Sequence, residues 1–163
     1  MSTGVRFFQS QNYTADQEIA ETRALEKGSY VRVAFAGEQP ERAELFMEGR
    51  LHSVIYYGRD PGDRDLARQH REDYGPVAMT IYDRPAPTGE GELQTLSEWN
   101  SAGELIQITR RLVDGTGNAQ REEIVDSRGA LRGVRQFEYE GTYLARVVFT
   151  RADGAEIIEL DDR

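Results

Sequence analysis

The chain has no cysteine, which removes disulfides, zinc–thiolate sites and thiol nucleophiles together. It has two histidines, His52 and His70. They fall on different predicted elements with no companion motif, so no metal site is expected. No run approaches the ~18 apolar residues of a membrane helix. The opening MSTGVRFFQS lacks the basic start and long apolar stretch of a signal peptide. Lysine is nearly missing, since Lys27 stands alone among 20 basic residues. Two explanations compete: the codon preference of a GC-rich genome, and an anion-binding surface that needs the planar, bidentate guanidinium. The arginines are scattered among acids, which favours the codon explanation. A net charge of −9 runs against general nucleic-acid binding, which rests on phosphate neutralisation. These absences describe a soluble, cytoplasmic, acidic protein. Neither a nucleic acid nor a membrane is expected as partner, and no cofactor.

What is present suits one β-rich domain over 1–163. After a short N-terminal strand, Thr14 and Gln17 make a capping-box pattern. With Lys27 at the negative end and Gly28 as a stop, they predict a helix over about 14–27. From Tyr30 the apolar period becomes two. Val31, Val33 and Phe35, then Ala43, Leu45 and Met47, then Leu51, Ser53 and Ile55, read as half-buried strands. Asp60 as N-cap and Pro61 at the first helical position predict a second helix over about 61–74. Leu66, Ala67, His70 and Tyr74 lie on its apolar stripe. Arg64, Asp65, Arg68, Arg71 and Glu72 form a solvated face. RPAPTGEGE reads as a long excursion between strands. Residues 93–160 are almost all strand and turn. The fold class expected is mainly β, α+β by content. It is an antiparallel hairpin meander forming a strongly bent sheet or a partly open barrel, with two short helices.

A short unit recurs: a strand, a turn ending in glycine, then an apolar residue. It appears in FMEGRL, NSAGEL, DSRGAL, YEGTYL and RADGAEI, with Gly49, Gly103, Gly129, Gly141 and Gly154. The last three glycines lie 12 and 13 residues apart. Glycine supplies a left-handed residue at the turn, and an earlier Asp, Asn or Ser bonds back to the backbone. An ordinary β-meander has the same needs. The unit also resembles the YD-repeat of RHS-type proteins and the variant MORN-like repeats of bacterial antitoxin-like proteins, best at DSRGAL (Asp126–Leu131) and over residues 97–160. Tyr56, Tyr57 and Tyr139 stand where those repeats often place aromatics. The Tyr–Asp pair itself occurs only at Tyr82–Asp83, outside the repeated unit. The resemblance implies a non-catalytic immunity or antitoxin-like protein that caps a toxin, often a basic one. The negative charge fits such a partner, because complementary fields speed association.

The chemical inventory is thin. No nucleophile elbow is present, and the glycines of TGEGE and DGTGN do not form a phosphate loop. Glu98 and Glu104 flank a turn across which two carboxylates could approach. Trp99, Phe137, Tyr139 and Tyr143 form a late aromatic group, which reads as sheet core or as a binding platform. If it is core, Phe137, Tyr139 and Phe149 are buried. The residues expected to meet a protein partner are Asp63, Asp65, Glu72, Asp73, Glu138 and Glu140. The alternative is a small-molecule-binding barrel, an enzyme among its options, lined by His52, Tyr56, Trp99 and Arg111.

Overall fold

The computed structural model describes residues 3–162. Met1, Ser2 and Arg163, which the single-domain reading also spans, lie outside the described residues. The protein is mainly β with two helices, as its periodicity predicts. The chain divides into two compact units. One comprises Met1–Tyr82 with Trp99–Glu104, the other Asp83–Glu98 with Leu105–Arg163.

The first unit holds β1 (Thr3–Phe8), β2 (Glu18–Ile19), α1 (Glu21–Lys27), β3 (Tyr30–Ala36), β4 (Gln39–Met47), β5 (Arg50–Tyr57), α2 (Arg64–Tyr74) and β6 (Ala78–Tyr82). Its strands lie in the order β6-β5-β4-β3-β1-β2. Neighbours are antiparallel except β5 and β6. That pair is parallel because α2 carries the chain back to the end where β5 began, which a hairpin cannot do. Alternation sorts the side chains. Phe8, Val31, Val33, Phe35, Ala43 and Ile55 form a cluster on one face. Tyr56 and Glu44 lie on the other face, under His70 and Tyr74 of α2.

Both helices differ from their predicted bounds. Residues 14–20 are not α-helical. Thr14 makes no side-chain cap bond, Ala15–Gln17 is a 3₁₀ turn, and Glu18–Ile19 joins β1 with Ile19 opposite Phe7. Ile19 is buried with Ala24 and Tyr30. A helix there would have only the sparse stripe Ile19, Ala20 and Ala24 to bury, and pairing with β1 buries Ile19 more fully. The helix stop is as predicted: Lys27 lies in the last turn and Gly28 caps it at φ +69°. The second helix begins at Arg64. Asp63, not Asp60, is its N-cap and accepts from Leu66 N at 2.9 Å. Asp60 closes the preceding turn by accepting from Gly62 N at 2.8 Å.

The second unit is a meander of β7 (Ala86–Thr88), β8 (Gly91–Trp99, of which Trp99 belongs to the first unit), β9 (Leu105–Val113), β10 (Ala119–Asp126), β11 (Leu131–Glu140), β12 (Tyr143–Arg151) and β13 (Glu156–Asp161). RPAPTGEGE is not a free excursion. β7 pairs with β8 through a tight turn, Thr88 opposite Gly91. Gly91 is required, since a Cβ there would sit 2.1 Å from the Val113 carbonyl oxygen.

The recurring glycine turn has a common geometry. In Asn100–Glu104, Asp114–Asn118 and Asp126–Ala130, the first side chain accepts from the backbone N–H groups two and four residues on. The glycine, at φ +80° to +91°, donates to the first residue's carbonyl. Arg151–Ala155 closes with the same backbone bonds. Gly49 and Gly141 belong instead to two-residue turns, Met47 opposite Arg50 and Glu140 opposite Tyr143. In the second unit the 12- and 13-residue spacing is therefore one strand plus one turn.

Three substitutions test this geometry by urea unfolding. Gly129→Ala meets no atom within 4 Å but must hold φ +83°, so it costs about 1–2 kcal/mol. Gly133→Ala costs more, since its Cβ would lie 2.5 Å from both the Phe149 ring and the Thr150 carbonyl oxygen. Glu48→Asn stabilises by some tenths of a kcal/mol to about 1. Glu48 is the only non-glycine at positive φ among the described residues, and an Asn-Gly pair suits that turn.

Candidate functional site

The register of the second unit sets Arg111 opposite Glu122 and Glu122 opposite Arg135. Glu122 is only 3% exposed. Both its oxygens are bonded, one by Arg111 Nε and the other by Arg135 Nη1, each at 2.6 Å. Arg135 also reaches Glu159 on β13, Nε to Oε2 at 2.6 Å. Between them, on β12, Phe149 lies opposite Arg135, with the guanidinium carbon 5.8 Å from its ring centroid. Phe149 covers Gly133, the one place on β11 where only hydrogen leaves room for the ring. A row of alternating charge thus crosses the sheet, with one aromatic ring in it.

Beside this row the sheet leaves a hollow of ≈ 520 Å³. Ile124, Phe149 and Ile157 give it apolar surface; Gln107, Arg132, Arg135 and Arg151 give it polar edges. Arg132 reaches it from the bulge where β10 and β11 lose register. None of these side chains is a nucleophile or exchanges a proton at neutral pH. The arrangement suits contact with an apolar or carboxylate-bearing group. It does not supply acid–base chemistry.

The first unit holds a second buried carboxylate. Glu44, 2% exposed, is ion-paired with Arg32, which lies opposite it on β3. It accepts from the Tyr74 hydroxyl at 2.7 Å, and Arg42 stands 3.4 Å away. Burial, then the bond to Glu44, holds the Tyr74 phenol well above its ordinary pKa. His70 is buried next to it. His70 Nε2 is 2.8 Å from the Val77 carbonyl oxygen, an acceptor only, so that nitrogen carries the proton and donates. Nδ1 then accepts from the Tyr56 hydroxyl at 3.0 Å. Burial lowers the pKa of His70 and pushes Tyr56 up to about 12. Both are neutral at pH 7 and hold α2 on its sheet. On the far face of that sheet Tyr13 and Tyr57 share a 2.7 Å hydrogen bond, and burial raises both phenols.

The residues singled out in sequence are distributed as follows. Tyr56 is fixed by His70, whereas His52, on the same strand, is exposed. Trp99 is buried at the end of β8. Arg111 is engaged by Glu122 within the second unit. Asp63 is a helix cap, and Asp65 pairs with Arg68 on the exposed side of α2. Glu72 and Asp73 are exposed on the same helix, but α2 carries three arginines against its three acids. Arg71 is exposed, as expected, and also bonds within the first unit. It donates to the Ala102 carbonyl at 2.5 Å and packs on Gly103. Glu138 pairs with Arg146 at 3.4 Å, and Glu140 is exposed at the end of β11. Glu98 and Glu104 bond to Gln107 and Asn100 respectively. Phe137, Tyr139 and Phe149 are half-buried, and Tyr143 is exposed. Among the described residues no group of three or more His, Cys, Asp or Glu is placed to hold a metal. Nor, among the described residues, is any helix long and apolar enough to cross a membrane.

Sequence reasoning missed the hollow. Its signal was the D-x-x-G-x turn at Asp126, which sets the register of β10 and β11 and so which arginines share a face. No protein-family model matches the chain, and no curated protein matches it.

The His70 geometry has a pH consequence. Its folded pKa lies below the ordinary 6.5, so the unfolded chain binds the proton first as pH falls. The stabilisation is complete above about pH 6.5 and declines as pH drops through that value toward the folded pKa. The slope is at most about 1.4 kcal/mol per pH unit. Urea unfolding between pH 7 and 5 should show the decline, and His70→Gln should remove it while lowering stability at pH 7.

Proposed function

We propose that the protein is a non-catalytic protein-binding domain. The observation that carries this reading is the exposure of large apolar and aromatic side chains on the strands of the second unit. Ile106, Leu131, Tyr143, Ile157 and Ile158 are each about half exposed, and two of them are adjacent on the last strand, where an apolar partner surface could cover them. The titratable groups best placed for chemistry support it too: Glu44, His70 and Glu122 serve packing and register. The sharper form of the proposal is a bacterial immunity or antitoxin-like protein of the cytoplasm that neutralises a basic toxin by direct binding. It rests on the repeat resemblance and on the net charge of −9, which would steer a basic partner. On this form the exposed acids Asp65, Glu72, Asp73 and Glu140 act in association, with Asp63 and Glu138 contributing field from their structural positions.

A second reading, a small-molecule-binding protein, is favoured by the hollow itself. Its ligand would meet Arg135, Phe149 and Arg151, and a thermal-shift screen of small carboxylates addresses it.

The primary test is a tagged pull-down from the native host at low and high salt. One stoichiometric basic partner that salt weakens is the expected result. With that partner, Asp65→Lys combined with Glu72→Lys should slow association roughly tenfold at low salt and little at high salt, read by surface plasmon resonance. An unchanged association rate overturns the electrostatic form.

A further inference from the structure

We propose that the outer edge of β13 is a strand-addition site for an extended segment of a partner that alternates basic and apolar residues. The inference rests on the protein-binding reading and names where and how the partner docks. β13 is the last strand of the second unit's order and, among the described residues, pairs only with β12. No residue of β13 is buried. Its consecutive residues Ile157 and Ile158 point to opposite faces, yet they are 47% and 55% exposed. Each lacks the neighbour that a further strand would bring about 4.8 Å away. Ile157 also borders the hollow, so a side chain on an added strand would stand at its mouth. The edge is therefore continuous with the apolar surface already described.

Charge selects the occupant. From Glu156 to Asp162 there are four acids and no base. Arg135 and Arg146 offset Glu159 and Asp161 from the inner strands, and Tyr143 donates to Asp162, which leaves the edge net negative. A second copy is disfavoured. Antiparallel self-pairing with full overlap sets Glu156 opposite Asp161 twice, and like charges directly opposite destabilise a ladder. A strand carrying Lys or Arg between aliphatic residues does not meet that repulsion. It gains the open backbone groups, with its apolar side chains beside Ile157 and Leu160 on one face and its basic ones beside Glu156 and Asp161 on the other.

The test uses the full chain and three labelled eight-residue peptides. One alternates Val and Lys, one alternates Val and Glu, and the third is the Val/Lys peptide with every backbone nitrogen methylated. By fluorescence anisotropy the Val/Lys peptide should bind at least tenfold tighter than the Val/Glu peptide. The methylated twin, equal in charge but unable to donate backbone hydrogen bonds, should lose that binding. Amide hydrogen exchange should slow along β13. Ile157→Lys with Ile158→Lys, both on exposed positions, should weaken the Val/Lys peptide and leave the fold intact by circular dichroism. Equal binding of the methylated twin, equal binding of both signs, or protection confined to other strands overturns the proposal. So does a concentration-dependent dimer with β13 protected, which would make a second copy the occupant. A partner captured in the pull-down that saturating Val/Lys peptide fails to displace refutes the docking edge and leaves the protein-binding reading standing. Absence of any partner refutes that reading itself.

Discussion

Two carboxylates that water cannot reach govern this protein. Glu44 in the first unit and Glu122 in the second are 2% and 3% exposed. A buried carboxylate without donors costs several kcal/mol, so each must find them on adjacent strands. Glu122 has an arginine directly opposite on both sides, and Glu44 has Arg32 opposite on β3 with Tyr74 above it. A one-residue slip in either ladder would turn the carboxylate or its arginine to the other face. The ion pairs therefore reinforce the register that side-chain alternation sets.

That requirement gives the arginines a structural use. An arginine-rich composition does not by itself place the arginines. Arg111 and Arg135 grip the two oxygens of one carboxylate, and Arg135 turns its remaining edge to Glu159. A lysine has no planar fork with which to bridge two carboxylates while lying against Phe149. The same arginines temper the acidity. On α2 they equal the acids in number, so the net charge of −9 acts as a diffuse field more than as one patch. A partner drawn by that field would be held where apolar surface and open backbone coincide, on the outer strands of the second unit.

The turns were the most legible part of the fold. An Asn or Asp, then a glycine three residues later, is a local device whose hydrogen bonds close within five residues, and Asn100, Asp114 and Asp126 carry it out alike. The two helix starts were harder to read. Thr14 offers a capping pattern, but the competing partner of residues 18–19 is β1, outside the span of a helical turn: Phe7 opposite Ile19 and Phe8 opposite Glu18. At the second helix, Asp60 and Asp63 are equally good caps locally. What separates them is which start directs His70 and Tyr74 onto Tyr56 and Glu44. The candidate site was barely legible, because its members sit on five strands and meet only through register.

The sequence by itself determined the class of object: a β-rich acidic chain without thiol, metal motif or phosphate loop, punctuated by glycine turns. Those features depend on composition and on neighbours within a few residues. Only the tertiary structure decided the parallel pairing of β5 with β6, the roles of His70 and Glu122, the hollow beside Phe149 and the open edge of β13. Each depends on which distant strands pair and in what register. That choice is set by the sum of buried side chains and satisfied charges across the whole sheet, which no local window of sequence contains.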